Sequence, residues 1–314
     1  MSAPTVDLRT SLRAVPIARD VVRVAGPEAA TYLQGQASQD VVALAVGATS
    51  WTFILQPTGK VEVWARVTRT ADDEFLLDTD PGAGEVAVAR LRRFLLRTKA
   101  DVDPIDGWSA VALRGPGADA AARDAAAGAA DAGVRALPAG WPGVEGADLL
   151  GPAEAVAAAV PAGVAAATSD DLESLRLLSG VPAMGAELTE RTIPAEAGKW
   201  VVDASASFTK GCYTGQELVA RIDSRGGNVP RHLRAVLADA PFAVGDKVLV
   251  DGAEVGSVTS VAARPGGGTV GLAYVSRSVG PPATGGVIGP ADAAPATVVA
   301  VPVDSPAPGP SAAG

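Results

Sequence analysis

Cysteine, histidine and aromatic residues are scarce in this sequence. Among 314 residues there is one cysteine, Cys212, and one histidine, His232. A lone cysteine excludes an internal disulfide framework and fits a reducing compartment. The same scarcity leaves no His/Cys set for an internal zinc site. Common iron–sulfur centres need four ligands, so one thiol cannot hold a cluster unaided. Cations are outnumbered too: 26 Lys and Arg against 35 Asp and Glu give a formal net charge of −9. That removes a bulk electrostatic case for nucleic-acid binding and leaves room only for a local basic patch. No apolar run reaches the roughly 18 residues a membrane span needs. The N-terminus, MSAPTVDLRTSLRAVPIARD, lacks the apolar core of a signal peptide. The expectation is a soluble cytoplasmic protein.

What remains is Ala-, Val- and Gly-rich and 48% hydrophobic, long enough for two or three domains with real cores. Residues 20–25 alternate as a strand, and Gly26-Pro27 opens a helix through about Gly35. A similar unit recurs as strand 110–114, turn Gly115-Pro116 and an Ala-rich helix over 118–132, a weak internal repeat. Neither turn has the glycines and lysine of a phosphate-binding loop. Between them, 51–55 and 60–70 alternate around Pro57-Thr-Gly59 as a hairpin, followed by a strand at 75–79. Residues 84–98 read as a helix with Leu91 and Leu95 on one face. Arg90, Arg92, Arg93, Arg97 and Lys99 form either a solvated face or a surface for an anionic partner. Ser169-Asp-Asp caps a helix through Leu178, with Asp170 three before Glu173. Residues 181–209 read as a long irregular loop, more often functional than idle. From His232 the texture changes to short strands and Gly/Pro turns, the pattern of a small antiparallel barrel. The last strand is expected at 296–301, and a Pro/Ala/Gly tail over 304–314 is expected to be disordered.

The most unusual stretch is Lys210-Gly-Cys-Tyr-Thr-Gly-Gln-Glu217. It has little amphipathic period, and its two glycines suit a loop that presents one side chain. Three readings of Cys212 stand open: a packed small hydrophobe, a nucleophile whose thiolate Lys210 favours, or a ligand to a shared metal cluster. The nucleophile reading lacks an adjacent base, because His232 lies twenty residues on, among arginines.

This eight-residue stretch, followed by Val219-Ala-Arg221, resembles the signature of the YgfZ family. These are folate-binding proteins linked to iron–sulfur cluster assembly and repair, related to the glycine-cleavage T-protein (aminomethyltransferase). Tyr32-Leu-Gln-Gly-Gln36 with Asp40, Ile193-Pro-Ala-Glu196, Gly256-Ser-Val-Thr-Ser260 and Gly271-Leu-Ala-Tyr274 extend the resemblance over most of the chain. It implies an α+β, T-protein-like fold through about residue 230, with two intertwined ferredoxin-like lobes (about 1–105 and 106–230). A small antiparallel β-barrel over 231–303 would follow. Tetrahydrofolate or a derivative would bind in the central hole. Iron–sulfur carrier or client proteins, among them tRNA-thiolating radical enzymes, would be partners, and a cluster could be shared through Cys212.

The resemblance also implies site residues. Cys212 and Lys210 would be the functional thiol and its activating cation. Gly211, Tyr213, Gly215, Gln216 and Glu217 would form the motif loop. Asp148, seven places after Trp141, matches an acid that grips the pterin ring in T-proteins. Leu172 stands where T-proteins have an arginine, and Gln36, Glu196 and Arg221 complete the expected folate-side set. The T-protein hairpin that carries the catalytic aspartate matches Gly59-Lys-Val-Glu-Val-Trp64, where Val63 and Trp64 replace the acids. Glu62 is expected to point to the opposite strand face. A general acid/base for aminomethyl transfer therefore has no candidate. The alternative is still a folate-dependent aminomethyltransferase or demethylase.

Overall fold

The structure is a computed structural model that describes residues 4–288 and 293–303. In chain order its elements begin with β1 (Arg13–Ile17), β2 (Asp20–Ala25), α1 (Ala29–Gln36), β3 (Thr49–Leu55) and β4 (Val61–Ala71). There follow β5 (Glu74–Thr79), α2 (Ala83–Arg92), β6 (Asp101–Ile105), β7 (Trp108–Arg114) and α3 (Ala118–Gly128). Next come β8 (Arg135–Pro138), β9 (Gly146–Pro152), α4 (Ala153–Ala159), β10 (Ala165–Ala166), α5 (Ser169–Leu178), α6 (Lys199–Ser205) and α7 (Gln216–Asp223). The last strands are β11 (Arg231–Ala238), β12 (Lys247–Val250), β13 (Ala253–Ala263), β14 (Thr269–Ser276), β15 (Ala283–Ile288) and β16 (Ala293–Val299).

They form an α+β molecule with two five-stranded sheets, ordered β3-β4-β5-β2-β6 and β10-β1-β7-β9-β8, and a closed barrel β11-β14-β13-β12-β15-β16. The N-terminal strand β1 pairs antiparallel with β7 of the second sheet, so the two lobes exchange chain. Each sheet packs two helices on one face. Val22, Val24, Ile54, Val63 and Phe75 meet Leu33 of α1 and Leu91 of α2. Leu113 and Leu149 meet Ala122 of α3 and Val156 of α4. On their other faces the sheets touch through Val21, Leu76, Ala110, Leu137 and Leu150. Alternation along each strand produces both contacts, since successive side chains face opposite ways.

α5 joins the lobes to the barrel. Its Leu177 and Leu178 pack against Leu233, Val270, Leu272 and Tyr274. Beside them the fully buried Glu187 accepts from Arg176 (2.9 Å), the Ala183 N–H (3.0 Å) and the hydroxyls of Thr259 and Ser260 (2.6 Å each). A buried carboxylate with that many donors is satisfied rather than reactive.

Several local expectations change. The helix expected over 84–98 stops at Arg92, and 118–132 divides into α3 and a short 3-10 turn, Ala130–Ala132. The α5 cap is Thr168, whose capping box uses Asp171 rather than Asp170 and Glu173. The stretch 181–209 is not wholly irregular, because it holds a 3-10 turn (Pro194–Ala197) and α6. β15 was not foreseen, and the final strand ends at Val299. The tail expectation for 304–314 falls outside the described residues.

Candidate functional site: a charged cavity behind an exposed thiol

The faces of the two sheets turned away from α1–α4 diverge beside α5 and line a cavity of about 430 Å³. β3 and β4 contribute Trp51, Trp64 and Arg66, β7 and β9 contribute Arg114 and Asp148, and α5 contributes Leu172, Glu173 and Arg176. Trp51 and Trp64 stack with centroids 3.9 Å apart, and Arg114 lies 4.5 Å from the Trp141 ring centroid. The cavity floor is a chain of alternating charge. Arg19 meets Asp80 and Asp78, and Arg66 takes Asp78 through two bonds of 2.8 Å. Asp148 then receives Arg66 at 2.7 Å and Arg114 at 2.8 Å. Burial alone would raise the Asp148 carboxyl, but Arg114 and Arg66 outweigh it and hold it down to about 2. It is a permanent acceptor at neutral pH. Each of its oxygens still has a lone pair free for a further donor. The Arg114 Nε, buried in the same wall, has no hydrogen-bond partner among the described residues.

The hairpin strand explains why two tryptophans stand here. Leu55 faces Val61 while Ile54 faces Val63, so Glu62 is the extra residue of a β-bulge. The bulge resets the alternation. Val63 turns into the α1/α2 core and Trp64 turns to the cavity. Glu62, expected simply on the opposite face, instead pairs with Arg90 at 2.9 Å.

Behind Trp64 lies the cysteine motif. Trp51, Trp64, Val201, Tyr213 and Val219 belong to one packed cluster, so the cavity wall and the motif loop share a core. The Trp64 indole N–H donates to Ser205 Oγ at 2.8 Å, at the end of α6 where the loop begins. Gly215 has φ +82°, and a Cβ there would lie 2.5 Å from the Gln56 carbonyl oxygen, so only glycine fits. Gly211 has no such constraint: nothing lies within 4 Å of its Cβ position. Gln216 Oε1 accepts from the Tyr213 N–H at 3.2 Å, and Glu217 is exposed in the first turn of α7. Cys212 stands exposed at the surface.

Lys210 departs from its expected part. Its Nζ donates to the carbonyls of Gln34 (2.7 Å), Ala37 (2.8 Å) and Gln39 (2.8 Å). An ammonium has three N–H groups, so none is left for Cys212. Lys210 instead closes the C-terminal end of α1, where a cation is favoured. Burial pushes it down to about 8, with Asp40 pulling the other way.

The cavity thus collects Trp141, Asp148 and Leu172 from the expected folate-side residues. It does not collect the other three. Gln36 accepts from Arg90, Glu196 binds Arg231 of β11 through two bonds of 3.1 Å, and Arg221 lies by a separate cleft beside Arg225 and Asn228. His232 lines another, larger cleft of about 600 Å³ between α6, α7 and β11. Burial and Arg234 lower its titration. Arg66 and Arg114 were missed from sequence. A single arginine inside the otherwise apolar run Val63–Val67 was the available signal for the first.

Residues 19–141 match the domain family described as the GCVT N-terminal domain. The chain is 28% identical over 220 residues to the tRNA-modifying protein YgfZ of Edwardsiella ictaluri, covering 66% of this chain and 65% of that protein. It is 29% identical over 233 residues to the mitochondrial iron–sulfur cluster assembly factor IBA57 homolog of Pyricularia oryzae, covering 70% and 56%. The resemblance read from the motifs holds. A similar 28% over 295 residues links it to the aminomethyltransferase of Streptomyces avermitilis, with 85% and 78% covered. The chain thus spans about two-thirds or less of the YgfZ and IBA57 relatives' own lengths. Among solved structures, glycine cleavage system aminomethyltransferase T from Bartonella henselae superposes with a TM-score of 0.75 over 95% of this chain and 88% of that one. At 19% identity that likeness speaks for the fold alone. No helix among the described residues is long and apolar enough to cross a membrane.

Proposed function

We propose that this chain is a cytoplasmic folate-binding protein that assists assembly or repair of iron–sulfur clusters in client enzymes. In this reading the cavity holds tetrahydrofolate, and Cys212 is the thiol offered to iron or sulfide. The carrying observation is that one packed cluster backs both the cavity wall at Trp64 and the Cys212 loop at Tyr213. The residues present suit a reduced folate. The part-exposed indole of Trp141 at the cavity wall matches a planar bicyclic ring. The free lone pairs of Asp148 match its N–H groups, and the unpaired Arg114 Nε matches a carbonyl acceptor. A bound folate would supply one-carbon carrying capacity. The chain's own residues bind and orient it, and Arg66 and Arg114 keep Asp148 ionised as an acceptor. Support for the iron–sulfur role comes from the name of the IBA57 relative, while the YgfZ relative is named for tRNA modification.

The test is an anaerobic titration with tetrahydrofolate. Saturable binding should weaken about tenfold in Trp141→Ala, whose side chain offers one aromatic face. A folded wild-type protein that shows no saturable binding removes the folate reading. The aminomethyltransferase reading draws on the Streptomyces relative. It requires tetrahydrofolate-dependent turnover of an aminomethyl donor that survives Cys212→Ser. Against it, the cavity-facing hairpin position is Trp64, not a carboxylate.

A further inference from the structure

Past the end of α2 the chain breaks two local rules. Phe94 and Leu96 stand 42% and 86% exposed, where large apolar side chains are usually covered. Arg97 sits at φ 62°, a left-handed conformation that costs a non-glycine residue free energy. Leu95, two residues earlier, packs against the first-lobe core, while Leu96 stays outside it. Next to Phe94 and Leu96 in the chain, Arg93, Arg97 and Lys99 are all exposed, and the Lys99 backbone N–H donates to the Glu28 carboxylate. Arg90 and Arg92, in the same run, are paired with Glu62 and Asp103. Among the described residues Arg93, Arg97 and Lys99 make no ion pair. The outcome is an apolar step flanked along the chain by three exposed cations without an ion pair, on a chain whose formal charge is −9.

This patch shares its support with Cys212. The Tyr32 hydroxyl of α1 donates to the Leu91 carbonyl at 2.5 Å. Arg90 donates to Gln36 Oε1 at 3.0 Å, and its guanidinium lies 4.1 Å from the Phe94 ring centroid. The same end of α1 receives the cysteine loop. Lys210 donates to Gln34 and Ala37, and the Thr214 N–H donates to the Gly35 carbonyl at 3.0 Å. The residues flanking Cys212 on both sides and the base of the Phe94–Leu96 step are therefore fixed to the last turn of one helix.

We propose that the Phe94–Leu96 step and its cationic rim dock an acidic iron–sulfur protein, setting that partner's cluster beside Cys212. The inference rests on the function proposed above. An apolar centre inside a charged rim is the anatomy of a protein interface, and the rim's sign selects an acidic partner. A solvated helix face would account for the arginines but not for Leu96. A nucleic-acid surface has no use for the exposed leucine either, and three cations are few against the phosphate backbone.

The experiment uses the full chain under anaerobic conditions, with a small acidic [2Fe–2S] ferredoxin as probe, followed by calorimetry at low and raised salt. Wild type should bind, and more weakly as salt rises. Leu96→Asp with Arg97→Glu should weaken binding at least about tenfold. Leu96→Ser alone, at so exposed a position, should keep the fold and weaken binding by a smaller factor. Cys212→Ser should still bind the ferredoxin, and should lose the change in the cluster's visible spectrum that the wild-type thiol produces. Absent ferredoxin binding, or equal binding by the Leu96/Arg97 double variant, overturns the docking surface and leaves a Cys212-dependent cluster reading standing. Preferential binding of a tRNA transcript through Arg93 and Arg97, with no ferredoxin binding, overturns it as well. Ferredoxin binding with a cluster spectral change that survives Cys212→Ser instead sinks the thiol reading and leaves the docking surface supported.

Discussion

Replacing Asp148 by Asn removes the charge that joins the two sheets across the cavity. Its oxygens hold Arg66 at 2.7 Å and Arg114 at 2.8 Å, and both arginine side chains are 1% exposed. Arg66 keeps its two 2.8 Å bonds to Asp78. Arg114 keeps the carbonyls of Leu113 and Ala147, at 3.0 and 3.2 Å, and the Trp141 ring, but becomes a buried charge without a counter-ion. Stranding one partner of a buried pair costs about 3–5 kcal/mol. A second route gives a similar size. The carboxyl falls from 3.8 unfolded to about 2 folded, a difference worth about 2 kcal/mol. A folded value below the unfolded one means the contribution is complete above pH 3.8 and fades as pH falls toward 2. Urea unfolding followed by tryptophan fluorescence should therefore show Asp148→Asn less stable by about 3 kcal/mol at pH 7. The gap should narrow progressively between pH 4 and pH 2. The double replacement Asp148→Leu with Arg114→Met should cost clearly less than the two single changes summed, since it leaves no orphaned charge. A single-variant cost under about 1 kcal/mol at pH 7 would refute the argument, because then the pair is not stabilised by its burial and geometry.

Two further outcomes concern the motif loop. Gly215→Ala should lose about 1–3 kcal/mol, from its positive φ and the collision with the Gln56 carbonyl, whereas Gly211→Ala should stay within about 0.5 kcal/mol. Thermal melts of both variants decide this, and equal losses would mean the loop backbone is not set at Gly215. Lys210→Met should free the carbonyls of Gln34, Ala37 and Gln39 and speed amide hydrogen exchange across 207–214. Unchanged exchange there would remove the tether described for Lys210.

The sequence carried the fold well where periodicity was strong. The β2–α1 and β7–α3 units, the hairpin and most of the barrel follow from alternation and Gly/Pro punctuation. β15 was lost because Ala-Thr-Gly-Gly-Val-Ile has little strand propensity. Its Gly285 is needed because a Cβ there would lie 1.9 Å from the Leu249 carbonyl oxygen. The site was legible in part. Trp141, Asp148 and Leu172 do line one cavity, through the motif resemblance rather than through pattern. What stayed hidden was long-range: the partners of Asp148 sit 82 and 34 residues away, and no local rule pairs them. The bulge at Glu62 was hidden as well, since one extra residue exchanges Val63 and Trp64 between core and cavity without leaving a compositional mark. Lys210 was misread because closeness in sequence to Cys212 suggested a contact, whereas its side chain reaches back to α1.

The central claim is that Cys212 works on iron–sulfur clusters while folate occupies the cavity behind it. The measurement that meets it most directly is anaerobic reconstitution with iron and sulfide, with and without tetrahydrofolate and a cluster-carrier protein, read by visible absorbance. The account predicts cluster absorbance in wild type that depends on the carrier, responds to tetrahydrofolate and is lost in Cys212→Ser. Identical spectra for wild type and Cys212→Ser under every condition would contradict it.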